Sequence, residues 1–419
     1  MTKKACLLVA LLVSISYALP AQVMTDEELL KAIEENPYRA AGGHNAYEAP
    51  AFSDTPAPAG YEAFYVSHYG RHGSRYQGGT EAFRKVLPKL DSLSACKLLT
   101  PAGDSLRMEL HLMEDAHSGM EGILTQKGSA EHREIAERLC RRVPSAFSCP
   151  SRPCVECVST SVQRCIQSMA NFTTAVKGAF PGVSVTYRTG MKYLDTLSPK
   201  STRKKAALAA IAPVLDSLLK AASVFDSIAG RLFKNPENVD REFIYGVFEA
   251  AQGASCLDID VNPFRFFTPS ELFELWKVRN VYFCAFYGTL DFVKEYRWNA
   301  AALARLVLSD ADAAIEGNGR CADFRFGHDG GVGPLAGLLA IEGYDRPAPR
   351  DSSHNYWQSW KYIPMGTNIQ LIFYRRGASD ILVKILFNER EVGIPALAAA
   401  SGPYYRWSDL RKYVLKRIG

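Results

Sequence analysis

The stretch Tyr65-Val66-Ser67-His68-Tyr69-Gly70-Arg71-His72-Gly73-Ser74-Arg75 constrains this chain more than any other. A short apolar run at 63–66 reads as a buried strand, and Gly70 and Gly73 mark the turn into which it empties. A histidine is thereby set between two arginines at the carboxyl end of a strand, where open α/β sheets bind ligands. Neutral imidazole can attack phosphorus and form a covalent phosphohistidine, so His72 is a candidate nucleophile. Arg71 and Arg75 would bring planar, permanently charged donors that grip phosphoryl oxygens in bidentate fashion. Gly73, without a Cβ, would let backbone N–H groups approach the same oxygens. The plainer alternative is a basic turn with a structural histidine.

A second constellation follows a strand predicted at 322–326, which delivers Gly327-His328-Asp329-Gly330-Gly331 into an apolar helix at 335–341. His328 would hydrogen-bond a phosphoryl oxygen, and protonated Asp329 would donate to the leaving oxygen and then deprotonate the attacking water. An N-cap aspartate beside a core histidine is the competing reading of this pair alone. A third segment, predicted as a strand at 155–160, ends in Ser159-Thr160-Ser161-Val162-Gln163-Arg164. A helix continues through Cys165, Ile166, Met169, Phe172 and Val176. With Ser161 as N-cap, Arg164 falls in the first helical turn, where the macrodipole also favours an anion.

Taken together, these residues resemble the histidine phosphatase superfamily, and its second branch of histidine acid phosphatases, phytases and multiple inositol polyphosphate phosphatases. The resemblance runs from about residue 56 to the closing segment and includes Leu124-Thr125 with Gly128, Ser159-Thr160 with Arg164, and Asn388 in a late strand. It implies His72 as nucleophile, Arg71, Arg75, Arg164 and His328 as the phosphate pocket, and Asp329 as proton donor. No metal or organic cofactor is implied. Two positions depart from the pattern. Gln77 stands where a proline is common, and His328-Asp329-Gly330 stands where the inositol polyphosphate phosphatases carry His-Ala-Glu. The donor therefore resembles that of phytases and general acid phosphatases.

The N-terminus reads as a secretory signal: Lys3 and Lys4 precede an apolar run from 5 to 15, and small residues lead to a cleavage point near Ala21. That run is too short to span a bilayer, so an exported protein, periplasmic or secreted, with no membrane span is expected. Cleavage would remove two of the five net positive charges and one of the ten cysteines, leaving +3 and nine. In an oxidising compartment many of the nine would be paired, with at least one left over. Cys149, Cys154, Cys157 and Cys165 cluster, and the Cys154-Val155-Glu156-Cys157 spacing leaves zinc as an alternative to disulfides.

At 419 residues the chain exceeds the usual size of a single core. We expect an α/β fold, a mixed central sheet flanked by helices of the phosphoglycerate mutase-like kind that the resemblance implies. Its two parts, 22–190 and 300–419, would be separated by an inserted helical cap subdomain at 191–299, where no convincing strand is seen. Residues 24–60, rich in Pro, Ala and Gly, read as a loosely structured arm. The cap carries Lys200, Arg203, Lys204 and Lys205, with Lys277 and Arg279, which would either meet extra phosphates or form a solvated charged face.

A modest net charge, no basic tail and no aromatic–basic interleaving argue against a nucleic-acid partner. An anionic phosphorylated small molecule is the expected partner. The expected activity is that of an exported phosphomonoesterase acting through phosphohistidine on phytate or related inositol phosphates. A broad acid or sugar-phosphate phosphatase is the alternative, and a phospho-ligand-binding protein without turnover is a third.

Overall fold

The computed structural model describes residues 23–199, 204–291 and 300–419. The signal segment, Lys200 and Arg203 lie outside these residues, as do the side chains of Lys204 and Lys205. The architecture is a mixed α/β sheet flanked by helices, as the sequence predicts. The strands are β1 (Glu62–Arg71), β2 (Cys154–Ser159), β3 (Ser184–Thr189), β4 (Arg320–Gly327), β5 (Asn368–Arg376), β6 (Asp380–Phe387), β7 (Arg390–Glu391) and β8 (Tyr404–Arg406). Their order is β3-β2-β4-β1-β5-β6-β7, with β8 paired to β6.

The three strands β2, β4 and β1 lie side by side and parallel, so their carboxyl ends open on the same edge. In register, Arg71 faces Gly327 across β1 and β4, and Ser159 faces Phe326 across β2 and β4. The motifs far apart in sequence therefore leave the sheet as neighbours. β1 is buried from Ala63 to Arg71, as expected of a strand covered on both faces. It runs through the arginine of the first motif, five residues beyond the apolar stretch that signals it.

One face of the sheet packs on helices Gln126–Arg142 and Gln163–Ala179 through Ile135, Leu139, Phe172 and Val176, against Val66, Phe324 and Phe326. The other packs on helices Ala301–Glu316, Asp329–Leu339 and Trp407–Ile418, with Leu303, Val307, Leu335 and Leu410 meeting Tyr65, Phe373 and Val383. A third core gathers Leu29, Ile33, Phe83, Leu87 and Leu106 with Phe225, Phe248, Phe264 and Trp276. Between β3 and β4 the described residues are helical or irregular, including helices Lys204–Ala221, Phe225–Leu232, Arg241–Ala251 and Pro269–Tyr287.

The N-terminal arm is more ordered than its composition implies. Helix Asp26–Glu35 starts at a capping box, in which Thr25 accepts from the Glu28 N–H and Glu28 accepts from the Thr25 N–H. That pairing satisfies two N-terminal donors, and Leu29, Ala32 and Ile33 then bury one face of the helix. Among the described residues no single helix is long and apolar enough to cross a membrane. The segments 206–221 and 225–232 are apolar enough together, but they meet at a 60° bend and bury Ile211, Phe225 and Ile228 in the cores.

All nine described cysteines are free thiols, contrary to the expected disulfides. Most are buried: Cys140 and Cys165 on different helices, Cys256 and Cys284 in the helical segment, and Cys157 and Cys321 on the paired strands β2 and β4, where the Cys321 thiol donates to Cys154 O. Among the described residues no group of three or more His, Cys, Asp or Glu side chains is placed to hold a metal ion.

Candidate active site

β1 ends at Arg71, and the chain turns into the site at once. The His72 N–H donates to Gly327 O at 3.0 Å and its carbonyl accepts from Gly366 N at 3.0 Å, so both backbone groups of this residue are fixed. The ring Nδ1 lies 3.0 Å from Gly73 O. A carbonyl only accepts, so Nδ1 carries the hydrogen and Nε2 keeps its lone pair. Burial first, and then Arg164, Arg71 and Arg75, hold His72 well below its usual 6.5. The imidazole is neutral, as a nucleophile requires.

The turn after His72 is locked by a helix that the sequence places nearby but does not tie to it. Glu131 accepts from Ser74 N at 2.7 Å, from Ser74 Oγ at 2.6 Å and from Tyr47 N at 3.0 Å. Thr125 donates its N–H and its hydroxyl to Ser74 O. Contact is so close that a Cβ on Gly128 would lie 2.1 Å from Ser74 O, and one on Gly73 would lie 2.5 Å from Gly128 O. This explains the glycine that follows Leu124-Thr125. Gly73 N donates to Ser168 Oγ at 3.2 Å, one helical turn after Arg164.

Three guanidinium groups converge here. Arg71 is almost wholly buried and donates through Nη1 to Gly43 O, Ile363 O and Pro364 O, while its Nη2 lies 3.2 Å from Asp329 Oδ2. Arg75 donates to Tyr76 O at 2.8 Å. Burial, with Arg164 and Arg71 as like-charged neighbours, lowers Arg75 to about 10. Arg164 reaches Gly122 O at 3.4 Å and His328 Nδ1 at 3.5 Å. All three leave Nε buried without a hydrogen-bond partner. Arg164 does sit in the first turn of helix Gln163–Ala179, but Val162 is the N-cap and no side chain caps that end; the Ser161 hydroxyl donates to Met191 Sδ instead.

At the end of β4, His328 is the N-cap of helix Asp329–Leu339 and offers no side-chain cap. Its ring stands across from that of His72, centroids 5.5 Å apart and steeply inclined. Burial and Arg164 lower His328 to about 4. Asp329 accepts from Gly330 N at 2.9 Å. Burial pushes its carboxyl up, but Arg71, His328 and Arg75 hold it below the ordinary carboxylate value. Beneath this turn lies the Tyr69 hydroxyl, bonded to Leu197 O. A Cβ on Gly331 would come within 2.0 Å of that hydroxyl, so the glycine is required there.

His72, Arg71, Arg75, Arg164, His328 and Asp329 are thus brought together. The cap cations divide. Lys277 pairs with Glu274 at 2.6 Å, and its charge bears on Asp26 and His354. Arg279 lies over Phe283 and pairs with Glu249 at 3.4 Å; Phe283 also packs on His44, whose Nδ1 is 3.3 Å from Gln252 Oε1. Asn388 lies just beyond β6 in a left-handed turn with Glu389, its Oδ1 accepting from Asn368 N at 3.0 Å. Sequence reading missed Glu131, Ser168 and His44, and gave Tyr69 and Thr160 no role of their own. The one signal within reach was spacing, since Ser168 follows Arg164 and Glu131 follows Gly128 on one helical face.

No family model matches the chain, and no curated protein does. Solved structures do. The multiple inositol polyphosphate phosphatase of Bifidobacterium longum, in complex with inositol hexasulfate, superposes with a TM-score of 0.72 at 18% identity, covering 89% of this chain and 97% of that one. The phytase from D. castellii gives 0.71 at 17%, covering 92% and 86%. Hafnia alvei phytase in its apo form gives 0.52 at 15%, covering 87% and 98%. The chain therefore has the fold of these phosphatases and phytases.

Proposed function

We propose that the protein is an exported phosphomonoesterase that works through phosphohistidine, with inositol polyphosphates such as phytate as its substrates. The observation that carries this reading is the charge balance of the site. Arg71, Arg75 and Arg164 converge beside two neutral histidines, with Asp329 as the carboxylate paired to Arg71. A dianionic phosphoryl group supplies the missing negative charge, and its oxygens match the planar donors.

In this account His72 Nε2 attacks phosphorus as the P–O ester bond breaks. The leaving oxygen takes the bonding electron pair and the Asp329 proton. The Nδ1–H bond to Gly73 O supports the positive ring that results. Asp329, now a carboxylate, takes a proton from water, whose oxygen attacks phosphorus; the P–N bond breaks and returns its electrons to His72. Arg71, Arg75 and Arg164 neutralise the charge that spreads over the phosphoryl oxygens. We assign the helical segment 191–299 the role of a cap over this edge of the sheet.

Phosphate release from phytate at mildly acidic pH, beside the His72→Ala variant, tests the proposal. Release by the parent protein alone supports it. Cleavage of a simple aryl phosphate without release from phytate moves the substrate to the broad acid or sugar-phosphate class. The pairing of Lys277 and Arg279 with acidic neighbours is the observation that favours this second reading.

A further inference from the structure

The residue just beyond β2, Thr160, is fully buried and held from both sides. Its N–H donates to Phe326 O at 3.2 Å, and its carbonyl accepts from Thr189 Oγ1 at 3.0 Å. Its Oγ1 lies 3.3 Å from His328 Nε2. The other neighbour of that nitrogen is Cys165 Sγ at 3.5 Å, whose hydrogen is committed to Gly327 O at 3.2 Å. Sulfur is a weak acceptor, and burial pushes this thiol up to about 11, so it stays protonated. Among the described residues, Thr160 is thus the one strong hydrogen-bond partner on the Nε2 side of His328.

The opposite ring atom, Nδ1, faces Arg164 Nη2 at 3.5 Å. A guanidinium only donates, so in the empty site Nδ1 accepts and Nε2 carries the hydrogen, which goes to Thr160 Oγ1. A phosphoryl oxygen in the pocket reverses these demands. It accepts from Arg164, and it requires a hydrogen on Nδ1.

We propose that Thr160 is a positioning residue whose hydroxyl fixes the His328 ring and exchanges roles with it. It accepts from Nε2–H when the site is empty and donates to Nε2 when Nδ1–H binds the phosphoryl group. The proton count is unchanged, since one hydrogen moves from Nε2 to Nδ1. Hydroxyls serve both states; a methyl group serves neither. The inference rests on the proposed function, in which His328 contacts phosphate. Partners bonded to the far nitrogen of metal-ligating histidines change affinity or activity about 10–100-fold when removed, and the same order is expected for this histidine.

Thr160→Val keeps the shape and removes the hydroxyl; Thr160→Ser keeps the hydroxyl and tests folding and packing. We expect kcat to fall roughly 10–100-fold in Thr160→Val with KM little changed, and to stay within about 3-fold of the parent in Thr160→Ser. Full kcat in Thr160→Val overturns the proposal, as does an equal loss in both variants. A second readout needs no turnover: nitrogen-15 chemical shifts of His328, assigned with His328→Asn, on titration with inorganic phosphate. The expected result is a shift from the Nε2–H to the Nδ1–H form in the parent and its absence in Thr160→Val. The same shift in both proteins, or no shift in the parent, overturns it. A parent protein that shows the shift and cleaves no phosphomonoester would refute the proposed function and leave this assignment standing.

Discussion

Arg71 Nη2 lies 3.2 Å from Asp329 Oδ2, so the motif ending β1 and the motif ending β4 meet in an ion pair at the heart of the site. The proposed proton donor is thus tied to a guanidinium of the proposed phosphate pocket. Bound phosphate would share that guanidinium and relax its hold on the carboxyl proton.

The pH dependence follows. Arg71, His328 and Arg75 keep Asp329 low in the free protein despite burial, which pushes it up. Phosphate adds negative charge beside the same groups and raises it. A donor must be protonated, so the rate falls as pH rises. The falling limb of kcat, which reads the complex, should lie at higher pH than that of kcat/KM, which reads the free protein. A rate that keeps rising above neutral pH contradicts this.

Asp329→Asn removes the proton without changing the shape of the side chain. Hydrolysis of alkyl phosphates, whose leaving oxygen needs a proton, should drop roughly 10²–10⁴-fold. A nitrophenyl phosphate, which leaves as a stable anion, should lose far less. Equal losses on both would mean that Asp329 acts in another way.

The same burial that keeps the histidines neutral carries a cost in acid. His132 is lowered to about 3 by burial, and His68 is held well below its usual 6.5 by burial and His132. Unfolded chains take up protons from about pH 6.5 downward, and the folded state does not follow until far lower. Stability is therefore complete above that range and is lost as pH falls towards the folded values, by about 1.4 kcal/mol for each pH unit of difference. The melting temperature should fall between about pH 7 and pH 4, and the fall should shrink in His132→Leu. An unchanged pH dependence in that variant would remove His132 from the account.

Close approach at Gly128 gives a stability test with its own control. Gly128→Ala puts a Cβ 2.1 Å from Ser74 O, against backbone, and should cost roughly 1–3 kcal/mol in denaturant unfolding. Gly178 is exposed on helix Gln163–Ala179, and a Cβ there would meet nothing within 4 Å. Its replacement by alanine should add roughly 0.5–1 kcal/mol of stability.

Much of the site was legible because each motif is local. Apolar runs announce β1 and β4, and glycines announce the turns that follow them, so Arg71, His72, Arg75, His328 and Asp329 could be placed at strand ends from sequence. What joins them is not local. Glu131 reaches Ser74, Ser168 reaches Gly73, and Thr160 reaches His328, each from another element through the sheet order. The arm was misread because its Pro, Ala and Gly content hid the capping box of Thr25 and Glu28, which starts a helix regardless of average composition. The cysteines misled for a similar reason. Their clustering in sequence does not say which side chains meet: the neighbour of Cys154 and Cys157 across the sheet is Cys321, far along the chain, and all nine described cysteines are free thiols.

The most direct test of the central claim is a search for a phosphoryl group on His72 during turnover. A rapid quench in base, which preserves phosphohistidine, followed by mass spectrometry of the peptide containing Arg71 to Arg75, would read it. The account predicts one added phosphoryl group on the His72 imidazole in the parent protein and none in His72→Ala, which should also release no phosphate. Steady turnover with His72 unmodified, or undiminished turnover in His72→Ala, would contradict it.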